Sequence, residues 1–278
     1  MVPSGIAGVR VDSGIPESSQ IASHRGAGAR SAPAGAGPEF VSRAVFRGVV
    51  ACVSRPAPEI ARALPRELVL ADGGGSDGLH PVLLFSGEQT RGASRIAGRE
   101  VEWDTSYEEL IVAIPFVRPR RRDTECVYPV AMYSSFWVPN WWGLYAFGYG
   151  KQPGRVARHG PILTLTTSEA GLAFQAVTEP RGSWCAAHDD PTGLVALLRR
   201  VGELPWVGQR PGGAFVRSRA RWEFQDASVR PVAGRAELHR PAFGGLATGT
   251  WPLAAEATSE IEGMTWWLSL PRRMALSP

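Results

Sequence analysis

The chain has almost no lysine. Lys151 is the only one among 30 lysines and arginines, so every other strongly basic side chain is arginine. Arginine replaces lysine in most surface roles, but only an amine condenses with a carbonyl to form an imine. The lone lysine is therefore either a remnant in a chain rich in Ala, Gly, Pro and Arg, or a residue kept for its chemistry. Cysteine is scarce as well: Cys52, Cys126 and Cys185 form no even set and no C-x-x-C. Together with five histidines they offer no H-E-x-x-H or similar spacing, which predicts a reduced, cytoplasmic protein without metal or cofactor. No apolar run approaches the length of a membrane span, and Met1-Val2-Pro3 does not open a signal peptide. The formal charge is only +4, and its main basic run, Arg120-Arg121-Arg122, reads as a solvated loop. Neither a membrane nor a nucleic acid is the expected partner.

What is present is enough apolar residue for a substantial core in 278 residues. Residues 1–38 are rich in Gly, Ala and Ser without a sustained period, and are expected to form a disordered N-terminal extension. Residues 39–278 are expected to form a single domain. Strand patterns run over Val45–Val53, Pro81–Gln89, Glu108–Val117 (bounded by Pro115) and Val127–Tyr133. Ile162–Thr167 and Gly171–Val177 read as a hairpin, and Ala220–Phe224, Val232–Leu238 and Met264–Leu270 as further strands. Pro58–Leu64 suggests a short helix ending at Pro65, and Asn140–Phe147 one or two helical turns. Gly193–Leu198 fits no one element. No strand alternates with a long helix, so a doubly wound or barrel α/β fold is excluded. The prediction is a mostly β, β-rich α+β domain, largely antiparallel, with a few short helices.

Lys151 sits in Phe147-Gly148-Tyr149-Gly150-Lys151-Gln152-Pro153, an aromatic and glycine-rich neighbourhood. Burial of an amine in such surroundings disfavours its charged form and frees the nucleophile. Upstream lie Tyr107-Glu108-Glu109, an apolar segment ending in Ile114-Pro115, the pair Met132-Tyr133, and Gly143. This layout, with Leu64-Pro65-Arg66-Glu67-Leu68 before it and Ser269-Leu270-Pro271-Arg272 near the end, resembles the acetoacetate decarboxylase family. The likeness spans about residues 45 to 275 and is concentrated around Lys151.

The resemblance implies an antiparallel cone- or barrel-like sheet, a homo-oligomer, and a small oxo acid or related carbonyl compound as substrate. It makes Lys151 the Schiff-base lysine and Glu109 the active-site glutamate beside it. Arg47 is the candidate for the family's substrate-handling arginine, although an arginine in an apolar strand equally serves a structural ion pair. A second family glutamate falls near Phe85 or Ser86, where Glu88 is the nearest carboxylate. Tyr133 and Tyr149 are further candidates for substrate binding, or for packing alone. Three departures stand out. Gln152 replaces the family's second lysine, Gly150 replaces a proline, and the Trp-rich stretch Phe136–Trp142 replaces an acidic segment and suggests a bulkier substrate.

Three function classes follow. One is a Schiff-base lyase, decarboxylase-like or else an aldolase or dehydratase using the same imine. Another is a non-catalytic small-molecule binding protein, with Lys151 exposed or salt-bridged and Glu109 turned away. The last is an interaction protein that uses its aromatics as an interface.

Overall fold

The computed structural model describes residues 40–275, apart from 73, 76, 97–98, 103–105 and 240–242. The extension expected over residues 1–38 lies outside the described residues. The described residues all fall in one compact unit.

The chain opens with β1 (Phe40–Pro56), α1 (Ala57–Ala63) and β2 (Leu68–Leu70), followed by β3 (Leu79–Ile96), β4 (Arg99–Glu102), β5 (Tyr107–Pro119) and β6 (Cys126–Ser134). The helix α2 (Trp137–Trp142) runs into a π-helical turn over Gly143–Phe147, which leads to β7 (Lys151–Pro153). Next come β8 (Arg155–His159), β9 (Ile162–Thr167), β10 (Gly171–Pro180), β11 (Cys185–Ala186) and α3 (Leu194–Gly202). The remaining strands are β12 (Pro205–Gln209), β13 (Phe215–Glu223), β14 (Ser228–Leu238), β15 (Gly249–Leu253), β16 (Thr258–Ser269) and β17 (Arg272–Arg273).

Successive side chains of a strand point to opposite faces, so a strand buried on both faces reads as a near-continuous apolar run. That is the case for the Val82–Phe85 stretch of β3. Leu83 and Phe85 face one core with Phe46, Ala113 and Met132, whereas Val82 and Leu84 face another with Val53, Leu110 and Val112. The first core lies inside a partial ring of seven strands. β16, β1, β3, β5 and β6 are antiparallel neighbours, and β12 and β13 lead back to β16. β12 meets β6 through a single parallel pair, Trp206 with Val127. The second core is covered by β8, β9, β10, β14 and β15, and the Ile162–Thr167/Gly171–Val177 hairpin forms in this layer.

The sheet is largely antiparallel, as expected, with two parallel contacts that make it mixed. β6 and β7 are parallel, with Met132 opposite Lys151. Parallel neighbours need a long crossover that returns the chain to the same end, and the helical segment Trp137–Phe147 supplies it. Pro115 does not end its strand. The register shifts between Ile114 and Val117, and Phe116 adopts φ 53°, so a bulge accommodates the proline without a ladder donor. The Pro115 carbonyl accepts a hydrogen bond from Nε2 of buried His80 at 2.8 Å.

The segment around Gly193–Leu198 proves helical. The carboxylate of Asp190 accepts the backbone N–H of Val195 at 2.8 Å, satisfying a donor in the first turn of α3, and that of Thr192 just before the helix at 3.0 Å. α3 then buries Leu194, Val195, Leu198 and Val201 against the inner core, a helical spacing that six residues alone did not reveal.

Candidate active site

Lys151 is the first residue of β7, and strand alternation turns its side chain inward while Gln152 faces solvent. Glu109, on β5, pairs in register with Gly87 of β3 and Ser134 of β6, and its side chain faces the same interior. The ammonium of Lys151 is ion-paired with Oε1 of Glu109. Lys151 is 7% exposed and Glu109 4%, so the pair is almost fully withdrawn from water. Such a pair persists only when its remaining polar atoms are also satisfied. Oε2 of Glu109 accepts from Nε2 of Gln89 at 3.2 Å, and Oε1 of Gln89 accepts from the Trp266 indole at 2.5 Å. The Lys151 nitrogen also lies 5.2 Å from the centroid of the Tyr107 ring.

The backbone explains the glycines near Lys151. A Cβ on Gly143 would lie 2.8 Å from Cδ and 3.0 Å from Cβ of Lys151, so the bare glycine is what lets the π-helical turn close over the lysine stem. Gly150 has φ 60°, which proline cannot adopt, so the family's proline would redirect the chain entering β7. α2 is anchored by a reciprocal pair. Ser134 Oγ donates to Asn140 Oδ1 at 2.9 Å, and Asn140 Nδ2 donates to the Ser134 carbonyl at 3.0 Å.

Both buried tyrosines of the site remain neutral phenols. Burial, and then the charge of Glu109, push the Tyr107 hydroxyl well above its ordinary range. Burial likewise pushes Tyr149 up, although the hydrogen bond between its hydroxyl and Ser218 Oγ opposes this.

The pair lines a cavity of about 570 Å³ inside the strand ring. Its walls are chiefly aromatic: Phe85, Trp222, Trp206, Tyr149 and Phe147 form an unbroken series of ring contacts, with centroids 5.3 to 6.0 Å apart. α2 adds Val138, Pro139 and Trp142 to the wall, while Trp137, Trp141 and Tyr145 remain on the outer surface.

Of the residues expected at the site, Lys151, Glu109 and Tyr149 line this cavity. Arg47, Glu88 and Tyr133 do not. Phe85 and Gln89 of β3 point inward, so Glu88, like Ser86, takes the opposite face. There Arg47 and Glu88 are bound to each other at 3.2 Å, which is the structural ion pair weighed as Arg47's alternative role. Tyr133 belongs to the outer core, with its ring 5.8 Å from that of Phe243, and its neighbour Met132 lines the cavity instead. Gln89 and Trp266 were not among the residues expected at the site. The inward position of Phe85 would have pointed to Gln89 by parity, whereas Trp266 comes from a strand at the far end of the chain and left no local signal.

No protein-family model matches the sequence, and no curated protein matches it. Solved structures do. The enduracididine biosynthesis enzyme MppR with HEPES bound is similar with a TM-score of 0.58 at 13% identity, over 90% of this chain and 99% of that one. The same enzyme has been solved with pyruvate, and with the condensation product of pyruvate and imidazole 4-carboxaldehyde. Acetoacetate decarboxylase from Legionella pneumophila matches with a TM-score of 0.55 at 13% identity, over 88% of this chain and 93% of that one. An acetoacetate decarboxylase-like enzyme from Sphingomonas wittichii RW1 matches at 0.54 and 13%, over 85% and 93%. The chain therefore has the fold of the acetoacetate decarboxylase and MppR structures.

Proposed function

We propose that this protein is an enzyme that forms a Schiff base between Lys151 and a carbonyl substrate. The observation that carries this reading is the buried ion pair of Lys151 with Glu109 on the wall of an apolar cavity. Its shared fold with MppR and the acetoacetate decarboxylases, and the pyruvate bound to MppR, lend it further support.

The groups suffice for the chemistry. Glu109 takes a proton from the Lys151 ammonium, and the neutral amine attacks the carbonyl carbon to give a carbinolamine. The proton held by Glu109 passes to the hydroxyl, which leaves as water, and the lone pair of nitrogen closes the iminium. The iminium then accepts the electron pair of a bond broken at the adjacent carbon. Loss of carbon dioxide from a 3-oxo acid, of an aldehyde, or of an α-proton all give the same enamine. A lyase of decarboxylase type uses the first of these steps. An aldolase or dehydratase uses the others, and the size of the cavity favours it by leaving space for a second carbonyl compound beside the iminium.

A non-catalytic binder would also tie Lys151 into a salt bridge, but with Glu109 turned away. Here the partner of the ammonium is the very group that must take its proton. The test is reductive trapping. The protein is incubated with acetoacetate, pyruvate or an aldehyde, treated with borohydride, and its mass and modified peptides are measured. A ligand-sized gain on the peptide of Lys151, absent in Lys151→Ala, is expected. Failure of the whole set to modify Lys151 rejects imine chemistry for these compounds.

A further inference from the structure

The cavity is large for a small oxo acid. At about 570 Å³ it lies in the range of sites that enclose drug-sized ligands. A molecule the size of acetoacetate would leave most of it holding water against indole and phenyl rings.

The side chains bonded around Lys151 are engaged with one another, whereas the Trp206 indole N–H on the same cavity wall is buried without a partner among the described residues. Glu109 is held by Lys151 and Gln89, Gln89 by Trp266, and the Tyr149 hydroxyl by Ser218. A ligand extending from the lysine therefore meets the aromatic series from Phe85 to Phe147 described above. A carboxylate next to the reacting carbonyl would need a cation. Among the described residues on the cavity wall, the only cation besides Lys151 is Arg95. It stands six positions along β3 from Gln89, beyond the bulge at which Arg91 adopts φ 49°. Arg47, the other candidate, is on the outer face and bound to Glu88.

Resting on the Schiff-base reading above, we infer that the substrate is an aldehyde or ketone carrying a bulky apolar, aryl-type body, and not a small oxo acid. Its carbonyl meets Lys151, and its body lies against Phe85, Trp222 and Trp206. Val138 and Trp142 of α2, both partly exposed, add apolar wall where the family pattern has an acidic segment.

The chain's single lysine makes the test clean, because the N-terminal amine is the only other amine that can be trapped. Full-length protein is treated separately with propanal and 3-phenylpropanal, reduced with borohydride, and mapped. The Lys151 adduct is normalised to the N-terminal adduct in the same sample, which cancels the aldehydes' intrinsic reactivity. Burial of one phenyl group predicts a normalised yield at least tenfold higher for 3-phenylpropanal. Equal yields, or a preference for propanal, overturn the substrate class and leave the Schiff-base reading standing. If only the N-terminus is modified by both aldehydes, imine formation at Lys151 has failed, and the ligand class is read without it. Tryptophan fluorescence is then titrated with 3-phenylpropanol and with propanol. Saturable binding at least tenfold tighter for the phenyl compound supports the apolar ligand class, and equal or absent binding overturns it.

Discussion

The indole N–H of Trp266 donates to the side-chain oxygen of Gln89 at 2.5 Å, and this contact decides which way the Gln89 amide faces. An indole nitrogen can only donate, so the amide oxygen must face it, and the amide nitrogen is left to donate to Glu109 at 3.2 Å. Trp266 thereby positions the carboxylate that holds Lys151, although it touches neither residue's charge. In Trp266→Phe the amide is free to rotate. We expect single-turnover trapping at Lys151 to slow about three- to tenfold, matching the ~0.5–1.5 kcal/mol of one net hydrogen bond. Trp266→His, with a ring nitrogen able to donate, should recover part of the rate if the donor is what matters. An unchanged rate in Trp266→Phe would show that the amide is held by other means.

The ion pair itself has a stability signature. A charge left buried without its partner costs about 3–5 kcal/mol, whereas removing both charges in favour of packed apolar groups is often close to neutral. Glu109→Leu and Lys151→Met should each lower the unfolding free energy by about that amount. The double variant should be more stable than either single one, giving a large coupling energy in a double-mutant cycle. Chemical denaturation of the four proteins measures this, and additive effects would mean that the two groups are hydrated and independent.

How much of this site the sequence disclosed depends on whether each residue is specified locally. The resemblance pointed to Lys151, Glu109 and Gly143, and all three line the cavity. The strands β5 and β6 were legible from their apolar runs, and β3 from the stretch Val82–Phe85, although β3 continues through a polar half to Ile96. Arg47, Glu88 and Tyr133 were drawn to the site by the same resemblance, and the parity of their strands sends them to the other face. Pro115 looked like a strand end because nothing local announces the bulge at Phe116. The parallel β6–β7 pair and the junction of Trp206 with Val127 join segments distant in sequence, and only tertiary packing specifies them.

His80 gives stability a pH dependence. Burial holds its ring below the ordinary value of 6.5, although its hydrogen bond to Pro115 opposes this. The unfolded chain therefore binds a proton more readily than the folded one. The neutral ring's contribution is complete above pH 6.5 and is lost as the pH falls from there towards the depressed folded value. Urea midpoints should fall over that window, and His80→Gln, which keeps a donor for the Pro115 carbonyl without titrating, should flatten the decline. An identical decline in the variant would assign it to the carboxylates instead.

Gly143 tests whether the lysine stem must be held in place. Gly143 has φ −58° and ψ −46°, so alanine fits its backbone without strain, and the only obstacle is the methyl group against Cβ and Cδ of Lys151. The backbone there is held by the hydrogen bond from the Tyr149 N–H to the Gly143 carbonyl at 3.0 Å, so the Lys151 stem, and with its Cβ the start of β7, is what must shift. A displacement of about 1 Å at a reacting group is enough to slow a reaction by about a hundredfold. Gly143→Ala should therefore keep the wild-type thermal midpoint within a few degrees, yet trap carbonyl compounds at Lys151 about a hundredfold more slowly. Gly160→Ala serves as the control, because a Cβ there meets nothing within 4 Å but carries the strain of φ 58°. It should lose some stability and retain the trapping rate. The opposite result, a Gly143→Ala protein that traps normally, would mean that the stem has space to shift and that the turn over Gly143–Phe147 does not position it.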